Sequence, residues 1–438
     1  MGYHVSDRAR ARAVLLIMVI TYSMQALDKG TISFVSIMKL PEDTNLNGQE
    51  FSWLTTCIYI AILVFKYPTN SVLQRVPIGK YLAFNIPIPC GTSDPNKPGR
   101  SPTGKGIQIL LAAPYLPSNA LRYMMNGGQQ IVGGLLAYCF SLIESGPLKS
   151  WQAIFIAYGG VTVFWGIFVW CWMPDSPMRA KCFMEADKRL MVECVRENQT
   201  GLQNMVFRRE QAIEALLDPQ TWGYCLISIC TTLPTSGIGA FKSNIISGFH
   251  FTVLQTQLLA MVLGAYIILI LFSSLYIVKK TGQSLVIMGV YVIQSFIGTI
   301  VMMTVKNTNP ATRIGLLISY YIALSSWSAQ TLALSMISRN VTGMTKKSVL
   351  VAANFISWAT AAAIGPQVFL SWDAPRYSIA FATHLGCYTM LVIVICALRW
   401  HLKRENAKKD AVQTGNPNLS HAFEDLTDRE NPEFRYIF

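Results

Sequence analysis

Charge is what this chain has little of. Only 13% of its 438 residues are Asp, Glu, Lys or Arg, and 52% are hydrophobic, whereas a soluble globular domain carries about 25% charged residues. With a mean hydropathy of +0.37, the composition excludes a water-soluble globule and implies a polytopic membrane protein. Histidine is scarce, five in all. No His/Asp/Glu cluster with ligand or acid–base spacing lies in the apolar runs, which argues against an intramembrane enzyme and a metal centre. Gly104-Lys105 lacks the full Walker spacing and its flanking strand and helix, so nothing supports ATP hydrolysis, and no cofactor is expected. The ten cysteines form no CxxC pair and lie mostly in apolar runs, where they read as core packing. No cleavable leader is expected either. Arg8, Arg10 and Arg12 precede a long span with no small-residue cleavage site, as a retained first helix requires. The net charge of +13 does not signal nucleic acid, because Lys and Arg cluster between the spans in the pattern that sets membrane topology.

What is there is length of apolar run. A span needs about 20 residues, and such runs lie near 13–37, 51–71, 123–143, 153–173, 222–241, 252–278, 284–305, 313–337, 348–371 and 378–398. The expected fold class is all-α, with about ten spans. The strongly charged stretch Pro174–Thr221 interrupts them. Ser176-Pro177 reads as a helix start there. Met184, Leu190, Met191, Cys194 and Val195 recur at near-helical spacing, which predicts an amphipathic helix on a membrane face. A charged middle between apolar halves is the plan of a two-lobed transporter. It divides the chain into an N-terminal lobe (1–173), a central loop (174–221), a C-terminal lobe (222–402) and a tail (403–438).

Positive charge alternates between loops. Arg8–Arg12, Arg75/Lys80, the central loop, Lys279/Lys280, Arg339/Lys346/Lys347 and Arg399/Lys403/Arg404 fall on one side. Loops with fewer or mixed charges, Lys242 among them, fall on the other. Both termini and the central loop are therefore expected in the cytoplasm. The sequons at Asn198 and Asn340 fall on that same side and read as unglycosylated.

One stretch does not fit. Pro87 to Pro117 is dense in proline, with a polar run from Cys90 to Gly106, and its backbone would go unsatisfied in lipid. It reads as an irregular, disordered insert (87–121) that cannot span.

A set of words in order carries a resemblance. These are Leu27-Asp28-Lys29, Phe51-Ser-Trp53, Tyr67-Pro-Thr-Asn70, Leu73-Gln-Arg75 with Gly79-Lys80-Tyr81, Asn126-Gly127 with Gln130 to Tyr138, Met173-Pro-Asp-Ser-Pro177, Leu217-Asp-Pro-Gln-Thr-Trp222, Thr345-Lys-Lys347, Gly365-Pro-Gln367 and Asp425 to Arg435. Together they resemble fungal major facilitator transporters of the anion:cation symporter group, the allantoate and nicotinate permease relatives. The resemblance covers nearly everything outside 87–121. It implies a two-lobed helix bundle in the plasma membrane, acting as a monomer. The implied activity is uptake of a small organic anion, such as allantoate, ureidosuccinate or a nicotinate-like carboxylate, with protons. That family has six spans per lobe. Here the insert stands where the third and fourth spans belong, so the first lobe is truncated. A mis-spliced or mispredicted reading frame accounts for the pattern. A chain lacking two spans is expected not to transport, which leaves a non-transporting or defective paralogue, or a sensor, as the alternative.

Candidate site residues are polar groups inside the spans. Asp28 and Lys29 each cost about 2.5–3.5 kcal/mol at a span centre, so they are read either as substrate or proton-coupling residues or as a mutually neutralising pair near the interface. Lys66 either attracts an anion or snorkels to the surface. Asn126 and Gln129 share a helix face. With Gly127, Gly128, Gly133 and Gly134 they either line a cavity or serve close helix packing. Gln330, Asn354 and Gln367 offer neutral donors and acceptors for a ligand or for neighbouring helices. His384 reads as packing. The partners expected are the anion, protons and the lipid bilayer.

Overall fold

The structure, a computed structural model, describes residues 20–24, 26–28, 30–38, 40–44, 46, 49–73, 118–143, 149–172, 207–374, 376–412 and 426–438. Among them there is helix and no strand. Helical residues 20–24, 26–28 and 30–35 make α1. There follow α2 (Glu50–Leu73), α3 (Ser118–Ser141), α4 (Ser150–Trp172), α5 (Arg209–Leu217), α6 (Pro219–Gly248), α7 (Val253–Thr281) and α8 (Ser284–Thr304). Then come α9 (Pro310–Ala323), α10 (Trp327–Asn340), α11 (Met344–Ile364) and α12 (Ser378–Val412). Helix occupies each of the ten expected positions, α9 and α10 together filling one. Among the described residues six helices are long and apolar enough to cross a membrane, namely α4, α6, α7, α8, α11 and α12. Of the stretch 87–121, residues 118–121 are not irregular but form the start of α3, while 87–117, like the amphipathic pattern at 184–195, lie outside the described residues.

The chain divides into two compact units. The first comprises 1–40, 61–203 and 253–265; the second comprises 41–60, 204–252 and 266–438. In the first unit, α1, α3, α4 and the start of α7 close around Leu27, Phe34, Val35, Ala137, Ile154, Tyr158 and Ala260. Bundles in lipid gain nothing from burying apolar surface against one another, so they depend on close packing by small residues. Here a Cβ on Gly134 would lie 2.8 Å from the Gln257 carbonyl oxygen, and one on Gly264 would lie 2.5 Å from that of Gly127. The outer face of α4, with Ile156, Phe164 and Ile167, is exposed, as a lipid-facing surface is.

In the second unit, α6 starts at Pro219, where a missing N–H costs nothing, and Asp218 caps it by accepting from the Gln220 N–H at 3.1 Å. Helices α9 and α10 are joined by a single 3₁₀ turn at Leu324–Ser326, whose Ser326 N–H donates to Ser295 Oγ at 2.7 Å. The core runs through Tyr224, Ile227, Met288, Val292, Leu332, Met336, Leu350, Tyr388 and Leu398, and it includes Tyr436 of the tail.

Three expectations need correction. Lys242 is not in a loop. Helix α6 continues past it, its apolar run renewed by Ile245 and Ile246, and buries the lysine to 2% exposure. Lys346 and Lys347 belong to the first turn of α11 rather than to a basic loop, and Lys346 is buried. Cys225 and Cys230 are core residues, but Cys57, Cys139, Cys171 and Cys396 are exposed on their helices. Asn340 of the second sequon is buried and holds Tyr224 Oη at 3.2 Å and the Ile437 carbonyl at 2.7 Å, which leaves no room for a glycan.

Candidate functional site

Asp28 lies partly buried on α1 and is the one acid among the described residues of the first unit. Thr162 Oγ1 of α4 donates to Asp28 Oδ1 at 3.4 Å. One turn before Thr162 stands the buried Tyr158, and one turn after it Trp165, whose Nε1–H donates to Thr21 Oγ1 at 3.0 Å. Residues 158, 162 and 165 follow helical spacing, so α4 presents one polar stripe to α1.

Helix α3 meets α1 on a different side. Asn126 Nδ2 reaches Tyr22 Oη at 3.5 Å. Gln129 is buried, and its Oε1 fills the space where Gly30 has no side chain, 2.6 Å from where a Cβ would stand. That Oε1 has no hydrogen-bond partner in the protein, a costly state in a low-dielectric interior unless a ligand or water completes it. The glycines beside these residues divide by role. Gly133 and Gly134 are in close packing contacts, whereas Gly128 faces open space. Lys29 lies outside the described residues, as does the side chain of Lys66.

In the second unit the polar groups gather where α11 ends. Pro366 has no N–H, so the carbonyl of Ala362 loses its usual helical donor. Ser236 Oγ of α6 supplies one at 2.7 Å. Thr56 Oγ1 of α2 donates to the Ala363 carbonyl at 2.9 Å and accepts from Gln367 Nε2 at 2.9 Å. Gln330 Nε2 of α10 donates to Thr232 Oγ1 of α6 at 3.3 Å. Asn354 is buried further up α11. Gln367 and Gln330 thus bridge helices, and Gln367, Thr56 and Ser236 share one patch. His384 is fully buried and ringed by Phe369 and Phe381, with centroids at 5.6 and 5.9 Å.

Two features lay beyond the sequence reading. Lys242 is a buried lysine within a span, and its neighbour Phe241 stacks on Phe369 at 4.9 Å. The continuing apolar run after it was the signal. The second is an ion cluster at the other end of α6. Lys346 Nζ sits 2.9 Å from Glu214 Oε1, 2.8 Å from Asp218 Oδ2 and 2.8 Å from Asp428 Oδ1. Arg429 reaches Asp218 Oδ1 at 3.0 Å, and Tyr436 Oη donates to Asp428 Oδ2 at 2.7 Å. Burial, with the Asp428 charge adding to it, pushes the Tyr436 phenol above its ordinary range, so it stays a donor. Lys409 Nζ caps the tail by donating to the carbonyls of Asp428, Asn431 and Phe434. No group of His, Cys, Asp and Glu among the described residues is arranged to hold a metal ion.

The sequence matches the family model of the Major Facilitator Superfamily over residues 118–366. An uncharacterised transporter of Schizosaccharomyces pombe is 33% identical over 450 residues, covering 96% of this chain and 86% of the relative. The allantoate permease of Saccharomyces cerevisiae is 28% identical, covering 96% and 84%. A thiamine pathway transporter of the same yeast is 29% identical, covering 97% and 84%. Among solved structures, a D-xylose–proton symporter aligns with a TM-score of 0.53 at 13% identity, over 87% of this chain and 97% of that one, which shows a shared fold.

Proposed function

The chain belongs to the Major Facilitator Superfamily, and on that premise we propose that it carries a small organic anion, of the allantoate, ureidosuccinate or nicotinate-like class, together with protons. The observation that carries this reading is Asp28, a partly buried carboxylate on α1, in the first apolar run of the sequence, held by one hydroxyl, Thr162. A carboxylate there is the group that takes and releases a proton during the cycle. The anion preference is supported by the similarity to an allantoate permease. It is supported also by the amine of Lys242 inside α6, together with Lys29 and Lys66 in the sequence. Asn126, Gln129, Gln330, Asn354 and Gln367 supply neutral donors and acceptors. In this proposal the protein works as a monomer in the plasma membrane, with both termini and the central loop in the cytoplasm, as the distribution of Lys and Arg favours.

A second reading rests on the sequence between Leu73 and Ser118. It holds no run of spanning length where the family has its third and fourth spans, and this favours a non-transporting paralogue or sensor. Uptake by an uptake-deficient yeast host, with labelled allantoate, ureidosuccinate, nicotinate and thiamine compared, separates the cargo classes. The proposal expects the carboxylates to enter and Lys242→Gln to raise their half-saturating concentration about tenfold or more. Entry of thiamine alone would refute the anion assignment.

A further inference from the structure

Helix α5 turns polar groups inward and large apolar side chains outward in its second half. Gln211 and Ala215 are its buried residues, and Glu214 turns to the ammonium of Lys346. Gln211 Oε1 accepts from the Thr345 N–H at 3.1 Å, so the inner face is tied by polar contacts to the first turn of α11. Past the first turn, where Arg209 and Glu210 are exposed, the outer face is apolar. Ile213 is 58% exposed, Leu216 50% and Leu217 73%, while Trp222, in the first turn of α6, is 57% exposed. The indole Nε1–H of Trp222 donates to the Leu216 carbonyl at 2.8 Å, which satisfies its one polar group.

We propose that α5 is an in-plane membrane anchor. Its outer face sits in the headgroup–acyl boundary beside the start of α6, while the Lys346 cluster holds its inner face to the protein. Continuity identifies lipid as the occupant. The apolar face of α5 runs through Trp222 onto the exposed side of α6 at Leu226, one turn on, and that side borders the hydrocarbon because α6 is a membrane span. A tryptophan at the start of a span is placed as the aromatic belts at membrane–water interfaces are. The exposed charged residues Arg208, Arg209 and Glu210 are confined to the start of α5, as a polar rim on the water side would be.

The test places p-benzoylphenylalanine, one site at a time, at Ile213, Leu217 or Glu210 of the full-length protein in phosphatidylcholine/phosphatidylserine liposomes. After irradiation, lipid adducts are counted by mass spectrometry. Adducts at 213 and 217 should exceed those at 210 by about tenfold, as an interfacial helix demands. Crosslinks at 213 and 217 to this chain's own residues 173–206, to a second copy, or to no lipid at all would overturn the proposal. Trp222→Phe gives a readout that needs no label. Lipid brominated near the glycerol end should quench wild-type emission more than that of the variant, and aqueous acrylamide should quench the two alike. The reverse pattern, with Trp222 reached from water, would overturn it as well.

Discussion

Lys346 and Asp428 meet at 2.8 Å with side-chain exposures of 1% and 0%, joining the first turn of α11 to the tail. The pair joins the contacts of Asn340 and Lys409 in holding residues 426–438 to the second unit. Asp218 and Glu214 approach the same ammonium from α6 and α5. A charge so deeply buried is tolerable only because it is paired from several directions.

Removing that charge should therefore be severe. Lys346→Met leaves Glu214 and the buried Asp428 without their cation, with Asp218 keeping only Arg429, and breaking a buried pair in this way costs about 3–5 kcal/mol. A large drop in the thermal midpoint of detergent-solubilised protein is expected, with proteolytic cleavage appearing in the tail. An unchanged midpoint and a protected tail would show that the cluster does not hold the tail.

Tyr436 gives a prediction with a sign in pH. Its phenol is shifted upward, so the stability it contributes is complete below the ordinary tyrosine value, about pH 10, and declines only as the pH rises towards the folded-state value. Tyr436→Phe should cost about 1.5–3 kcal/mol, as hydrogen bonds to charged groups do. That cost should be flat from about pH 6 to about pH 9, measured by thermal unfolding across buffers. A loss that varies within this window would assign the titration to another group.

These contacts show which parts of the molecule the sequence discloses. The helices were legible because their signals are local: apolar runs, Pro219 at a first helical position, and Gly365-Pro366 at an end. Lys346 was misread because its partners are remote. A local window containing Arg339, Lys346 and Lys347 holds only positive charge, while the neutralising Asp218 and Asp428 lie elsewhere in the chain. Lys242 was placed in a loop because a lone charge was taken to end the span, although the apolar residues beyond it continue the helix. Asp28 stands out in the sequence through the cost of a charge in a low-dielectric setting, and Gln129 through the helix face it shares with Asn126. That Gly30 makes room for the Gln129 amide is a relation between helices that no spacing rule contains.

Packing in the first unit should tolerate no added bulk at Gly264, where a Cβ would stand 2.5 Å from the Gly127 carbonyl oxygen and 2.8 Å from Ile131 Cγ1. Gly264→Val should cost about 1–3 kcal/mol or more through overpacking and lower the yield of folded protein in size-exclusion chromatography. Gly128→Ala, which faces open space, should leave the yield unchanged. Equal behaviour of the two variants would rule out tight α3–α7 packing.

Asp28→Asn should keep normal surface expression while uptake falls by about a hundredfold, because the amide preserves shape and cannot carry a proton. Asp28→Glu should restore part of the activity. Wild-type uptake with unchanged pH dependence in Asp28→Asn would reduce Asp28 to a structural residue.

The central claim, proton-coupled transport of an organic anion by this chain, is tested most directly by purified protein in liposomes. Accumulation of labelled allantoate is followed with and without an imposed pH gradient, acid outside. The account predicts saturable accumulation above the equilibrium level, abolished when a protonophore collapses the gradient and abolished in Asp28→Asn. No saturable uptake of any carboxylate in the series, by protein shown to be folded and inserted, would contradict it and establish the non-transporting reading.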